Sequence, residues 1–308
     1  MDTYVVETKN LTKYYHDFCA LNRVNISIKR GEIYGLVGDN GAGKTTLLKL
    51  LAGQIFVSGG SYSLFGKQKT AELEKSRSRM GVMIEHAGFY PQLSIEKNLE
   101  YYRIQKGIPG KKAVEEALEI TGLGSAGKKL CRELSLGMKQ RVGLAIALIG
   151  QPEFLILDEP INGLDPSGII EMRNLLFRLN QEKKITILLS SHILSELEQI
   201  ATMYGFLQNG VLLEQVCAKH LREKCADYVE IVVSDSEKYA VLLEKRLGHQ
   251  DYQILPDGKI HIFHGSLGLQ DYSRLAGEEG IQILGLARYQ QSLENYYMNL
   301  KKGGAKAC

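Results

Sequence analysis

Eight consecutive residues, Gly38-Asp39-Asn40-Gly41-Ala42-Gly43-Lys44-Thr45, place glycines ahead of a Lys-Thr pair, with Thr46 next. That pattern suits a polyanion. Glycines let successive backbone N–H groups turn inward onto phosphate oxygens, and a helix starting at Lys44 adds the positive end of its dipole. Lys44 is then placed for the β- and γ-phosphates of a nucleoside triphosphate, and the Thr45 hydroxyl for Mg2+. The plainer alternative is a tight strand-to-helix turn.

A second constellation lies in FLILDE, where Asp158 and Glu159 end an apolar run. Two carboxylates there are costly to bury unless something cationic sits nearby. Magnesium-bound ATP is such a partner. Asp158 is expected to hold the metal, and Glu159 to orient or deprotonate the attacking water. The bland alternative is a strand-end pair facing solvent.

The elements around these residues are readable in outline. Tyr4–Thr8, Val24–Lys29 and Glu32–Val37 have β character, and KTTLLKLLAG reads as a helix ended by Gly53. Strand, glycine loop and helix in that order are the context a phosphate loop requires. From roughly 94 to 150 the pattern is helical: SIEKNLEYYRIQ, KKAVEEALEITG and MKQRVGLAIALIG. FLILDEP and ITILLSSH read as short buried strands separated by the amphipathic EMRNLLFRLNQEK. Buried strands alternating with helices predict a mostly parallel sheet, and Asn209-Gly210 predicts a closing hairpin.

The remaining stretch differs. YVEIVV, SEKYAVLLEKRLG, DYQIL, KIHIF, LQDYSRLAGEEG and IQILGLA run β-α-β-β-α-β, the order of a split-βαβ, ferredoxin-like module. A last helix, SLENYYMNLKK, leads to a Gly/Lys tail expected to fray. The expected division is 1–216 for an ATP-binding domain and 217–308 for an accessory α+β domain. No Cys/His metal spacing or nucleotide motif marks the second, which reads as regulatory, dimer-supporting or purely structural.

Composition sets bounds. Hydrophobic residues are 44% and charged residues 24%, an ordinary soluble balance, and a formal net charge of +3 is too small to indicate a nucleic-acid track. Five scattered cysteines (Cys19, Cys131, Cys217, Cys225, Cys308) form no C-x-x-C, so neither a disulfide framework nor a zinc site is expected and a reducing cytosol is the default. MDTYVVETKN has no signal-peptide pattern. No segment approaches the roughly 20 uninterrupted apolar residues of a membrane span, so work at a membrane needs spans from another chain.

Further motifs make the chain resemble the ATP-binding cassette family over about residues 1–215. LSLGMKQR at 134–141 stands where that family has its L-S-G-G-Q signature, and INGLDP at 161–166 resembles its D-loop, with Asp165 in the matching slot. His192 in SSHILSE matches the switch histidine, and Tyr15 in LTKYY falls where an aromatic ring stacks on adenine, although Tyr14 could exchange roles with it. The resemblance implies a phosphate-loop ATPase cassette with an antiparallel β subdomain and a helical subdomain. It also implies ATP and Mg2+ as ligands and a head-to-tail dimer. In that dimer Ser135, Gly137 and the helix beginning near Met138 cover the γ-phosphate of the opposite subunit. Ser135 as a simple helix cap is the lesser alternative.

Two departures stand out. Leu136 and Met138 replace a glycine and the glutamine of the signature, and Glu85 occupies the position of a metal-contacting glutamine, with Gln92 a weaker candidate. Glutamate keeps an oxygen ligand but loses the amide donor. IEHAGFYP, LSLGMKQR and the terminal SLENYY resemble the bacitracin- and lantibiotic-export branch, whose ATPases pair with separate membrane permeases. That implies a peripheral subunit on the cytoplasmic face of the membrane, a second ATP-binding subunit, an amphipathic cargo and no nucleic-acid partner. HAGFYPQ is the expected docking surface, or else a plain helical-lobe loop. A soluble cassette ATPase acting on nucleic acid or ribosomes is the competing reading, disfavoured because no long heptad array and only one set of motifs is present.

Overall fold

The computed structural model describes residues 3–85, 88–225, 228–263, 267–289 and 293–304. Contacts divide the chain into two units, Met1–Ala218 and Lys219–Cys308.

The first unit is built on a six-stranded sheet in the order Val211–Cys217, Met203–Gln208, Ile33–Val37, Thr186–Ser191, Phe154–Asp158, Met80–Met83. All neighbours are parallel except the first pair, an antiparallel hairpin turned at Asn209-Gly210. Both turn residues have positive φ, 47° and 76°, as a two-residue hairpin turn demands. Ile33–Val37 and Thr186–Ser191 are buried along their whole length, which is why they read as apolar runs without alternation.

An antiparallel sheet of Phe18–Val24, Tyr4–Tyr15, Ser27–Lys29 and Gly59–Leu64 packs against this core. Here the sequence expectation needs correction. The first strand runs on to Tyr15 and turns at His16-Asp17 into Phe18–Val24, where no strand was expected. These ends are exposed, so the apolar alternation that marks a strand fades. Between the sheets lies the helix Lys44–Ala52, whose Leu47, Leu48, Leu50 and Leu51 are fully buried. Each such leucine contributes about 2 kcal/mol of burial free energy.

The helical lobe holds Ile95–Gln105, Lys112–Ile120 and Leu136–Leu148 around their own apolar cluster, which includes Ile95, Leu99, Cys131 and Val142. Helix Leu136–Leu148 also lies directly on strand Met80–Met83: a Cβ on Gly81 would stand 2.3 Å from the carbonyl oxygen of Ala147. Only glycine permits that approach.

The second unit forms a four-stranded antiparallel sheet in the order Tyr252–Ile254, Ile260–Phe263, Tyr228–Val233, Ile283–Tyr289. Helices Ser236–Leu247 and Leu269–Glu278 cover one face, with Tyr239, Leu243, Tyr272 and Leu275 in the shared core. This is a split-βαβ order. Helix Leu293–Gly304 follows; the expected frayed tail lies outside the described residues from 305 onward.

Candidate active site

Three parallel strands deliver the chemistry from their carboxyl ends, where ligands sit in open α/β sheets. Ile33–Val37 runs into the glycine loop, Phe154–Asp158 ends at the carboxylates, and Thr186–Ser191 lies between them and ends before His192.

The loop's glycines are sterically obligatory at two points. A Cβ on Gly38 would come within 2.6 Å of the Leu207 carbonyl, and one on Gly43 within 2.7 Å of the Ala20 carbonyl. Gly43 also takes φ of 105° as the residue preceding the helix, and Gly41 takes 82°. Ala42 is buried and its N–H donates to the Asp39 carbonyl at 3.1 Å, so the loop is folded on itself. Asp39 and Asn40 form its exposed rim, and Thr46 sits half-buried beyond it.

Lys44 is only 6% exposed. Its Nζ donates to the Gly38 carbonyl at 2.7 Å and the Asp39 carbonyl at 3.2 Å, and pairs with Glu159 Oε1 at 3.2 Å. The other Glu159 oxygen, Oε2, meets His192 Nδ1 at 2.8 Å. A carboxylate only accepts, so Nδ1 carries the proton in that contact. Thr45 Oγ1 donates to Asp158 Oδ2 at 2.8 Å, and Ser190 Oγ donates to Asp158 Oδ1 at 2.5 Å. Ser190 also accepts from the Glu159 N–H at 3.0 Å, steadying Glu159 at a left-handed φ of 48°. Six side chains from three strand ends thus form one connected polar cluster.

The Thr45 hydroxyl and Asp158 carboxylate bring hard oxygen donors side by side, a donor set that fits Mg2+, which takes one or two protein ligands and completes its shell with water and phosphate. Glu85 is placed on the same helix face: its Oε1 pairs with Lys49 Nζ at 2.6 Å, and Lys49 stands one turn beyond Thr45. Gln92 instead lines a separate hollow in the helical lobe.

A second cluster gathers the signature and the D-loop. Ser135 caps helix Leu136–Leu148, its Oγ accepting from the Met138 N–H at 3.3 Å, so the helix begins two residues earlier than expected. Asp165 caps helix Pro166–Lys183, accepting from Gly168 N–H at 3.3 Å and from Ser167 Oγ at 2.6 Å. The Ser167 hydroxyl, with the Gly168 N–H, holds the Asp165 carboxyl below its ordinary range. Ser135, Leu136, Gly137, Gly163, Leu164 and Asp165 border an open cleft of about 460 Å3. Leu136, the departure from the signature, is half-exposed on its rim.

Tyr15 stands at the end of its strand, 41% exposed, with Lys13 Nζ 5.1 Å from its ring centroid; Tyr14 is exposed beside it. Of the HAGFYPQ stretch, His86 and Ala87 lie outside the described residues. Buried Asn98 pins the stretch at Tyr90, accepting from its N–H at 2.7 Å and donating to its carbonyl at 3.1 Å. Tyr90 and Tyr101 meet edge to face at 4.9 Å and are both substantially exposed.

The sequence reading missed Ser190 and Lys49. A serine after an apolar strand carries no spacing signal; only the register pairing Asp158 with Ser190 reveals the contact. Lys49 reads as an ordinary helix-surface residue until Glu85 appears beside it.

The sequence model of the family described as "ABC transporter" matches residues 21–162. The bacitracin transport ATP-binding protein BcrA of Bacillus licheniformis is 42% identical over 97% of this chain and 98% of its own length. The lantibiotic transport ATP-binding protein SrtF of Streptococcus pyogenes is 39% identical over 68% of this chain and 90% of its own. Among solved structures, a dimeric, post-hydrolysis ATP-binding cassette bound to ADP and Pi superposes with a TM-score of 0.63 at 25% identity, covering 69% of this chain and 98% of that one.

Proposed function

The chain belongs to the ABC transporter family as an ATP-binding, ATP-hydrolysing subunit of the bacitracin and lantibiotic transport branch, and on that premise we propose that it powers export of an amphipathic peptide antibiotic or drug through separate membrane-spanning subunits. The observation that carries the proposal is the polar cluster uniting Lys44, Thr45, Asp158, Glu159, Ser190 and His192 at three strand ends. In it Lys44 and the loop N–H groups receive the phosphates, and Tyr15 stacks on adenine. Thr45 and Asp158, with Glu85 alongside, would hold Mg2+, which supplies neutralisation of charge on the β- and γ-oxygens.

Glu159 orients or deprotonates the attacking water once Lys44 and His192 release its two oxygens, and His192 turns to the γ-phosphate. A phosphate loop leaves one side of the γ-phosphate bare. Ser135 and Gly137 of a second subunit cover it, with Asp165 of the D-loop at the same seam. The similar cassette that is dimeric with ADP and Pi bound supports a two-subunit assembly. No helix among the described residues is long and apolar enough to cross a membrane, which fits a subunit seated peripherally on a permease at the cytoplasmic face. The exposed Tyr90–Tyr101 pair is the proposed docking surface. We assign 217–308 as an accessory domain supporting that assembly.

The test is capture of partners by the Glu159→Gln form, ATP-loaded, from detergent-solubilised native membranes. Near-stoichiometric recovery of a multi-spanning protein supports the proposal. Recovery of ribosomes or DNA instead overturns the transporter role while leaving the ATPase chemistry in place.

A further inference from the structure

One carboxylate oxygen near the site has no part in binding ATP or aligning water. Glu196 lies in the short helix Leu194–Leu197, four residues beyond His192. Its Oε2 is buried, with no hydrogen-bond partner among the described residues. Burial pushes the Glu196 carboxyl up, with the Glu159 charge adding to the rise, while His192 and Arg173 oppose it. Among the described residues those three are the charged or titratable groups that act on it. Arg173, on helix Pro166–Lys183, is engaged by Gln199 Oε1. An acceptor oxygen withdrawn from water with nothing to accept from is destabilising. A donor that reaches it in another state of the molecule offsets that cost.

His192 is the donor at hand. In the structure its Nδ1–H is committed to Glu159 Oε2, and Lys44 occupies Oε1. With a cation or N–H on each oxygen, Glu159 has fewer lone pairs free for a water, and departure of the imidazole frees Oε2 to align one. A ring that donates Nε2–H to a γ-phosphate while keeping its Nδ1–H needs an acceptor for Nδ1–H. A carboxylate that accepts there fixes the orientation of the ring. We propose that Glu196 is a positioning residue for His192: the second acceptor, to which Nδ1–H moves when His192 leaves Glu159. The switch is thus a ring shared between two carboxylates, and Glu196 acts on the reaction only through the ring. The inference rests on the assignment of His192 to the γ-phosphate.

The test is a double-mutant cycle on ATP hydrolysis by the full chain, with Tm recorded for every variant. Glu196→Leu fills the space without an acceptor. It is expected to lower kcat about tenfold, with KM for ATP changed less than about twofold, the size usual for loss of an orienting partner. Glu196→Gln keeps an acceptor oxygen without the charge; it is expected to lose about threefold and reads the same cycle if the leucine variant fails to fold. In a His192→Ala background neither substitution should lower kcat further. Additive losses in that background would show that Glu196 acts on packing or on Glu159 directly and would overturn the proposal while leaving the His192 assignment intact. A His192→Ala variant with wild-type kcat would overturn both.

Discussion

The two halves of the site are built on opposite plans. Around the phosphate loop every charge has a partner within the chain: Lys44 with Glu159, Glu159 with His192, Asp158 with Thr45 and Ser190. Around the signature, Ser135 and Asp165 only cap their own helices, and an open cleft lies between them. The first half is internally satisfied, so ATP must displace existing contacts to enter. The second makes no demand on its own chain beyond two helix caps, and its N-terminal helix dipole is still available to an anion. On the proposed function, selectivity for nucleotide would reside in the half that must be opened, and completion of the site in the half that waits.

The sharpest way to break this contrast is Lys44→Ala. If the phosphate-loop half is indispensable, ATP hydrolysis should fall about 1,000-fold or more, as when any principal cation is removed from a phosphoryl-transfer site. A residual rate above a few per cent would mean the lysine is replaceable. The next test concerns the waiting half. A Cβ on Gly137 meets nothing closer than Leu164 at 3.7 Å, and an acid in the first turn suits the helix dipole. Gly137→Asp should therefore keep the wild-type Tm yet lose about 100-fold in hydrolysis by repelling phosphate. Mixing it with Lys44→Ala should restore activity, because one composite site in the heterodimer is intact. A mixture no more active than its parts would place the signature in cis.

A smaller effect separates architecture from chemistry. Gly43→Ala puts a Cβ 2.7 Å from the Ala20 carbonyl at a φ of 105°. The strain should cost about 1–3 kcal/mol and lower Tm by about 2–12 °C, together with ATP affinity. Smallest is the clamp at the far end of the carboxylate strand. Arg79, then Arg30, hold the Glu153 carboxyl down at about 2, against an ordinary 4.5. A depressed carboxylate stabilises the fold above the unfolded value, and the contribution is lost as pH falls from about 4.5 to about 2. Glu153 is 44% exposed, so solvent screening limits it to about 1 kcal/mol or less. The Tm gap between wild type and Glu153→Gln should be constant above pH 5 and close toward pH 2.

Groups marked by residue type and spacing together were legible in the sequence. The loop 38–45, Asp158-Glu159 and the Asn209-Gly210 turn announce themselves in this way, and the structure brings the first two into contact at strand ends of one sheet. Elements that earn their place only by pairing were not. Gly59–Leu64 is a strand in which four of six residues are glycine or serine, types that strand propensity does not favour, held by its register with Tyr4–Tyr15. Helix Thr70–Arg77 buries only Leu73 and Ser76, too little for a periodic signal. Ser190 and Glu196 matter through neighbours distant in sequence or through a lack of neighbours, neither of which one dimension records.

The glycine contact at 81 turns the signature helix into a lever. Its fulcrum is Ala147, near one end, and its load is Gly137, ten residues away, about 15 Å along the axis. A tilt of about 5° at the fulcrum carries Gly137 about 1.3 Å, a displacement of the size that can cost two orders of magnitude in rate. The strand under the fulcrum leads, two residues past its end, to Glu85. Were the helix to pivot at that contact, a push on this segment would reach the far tip of the helix as the larger motion.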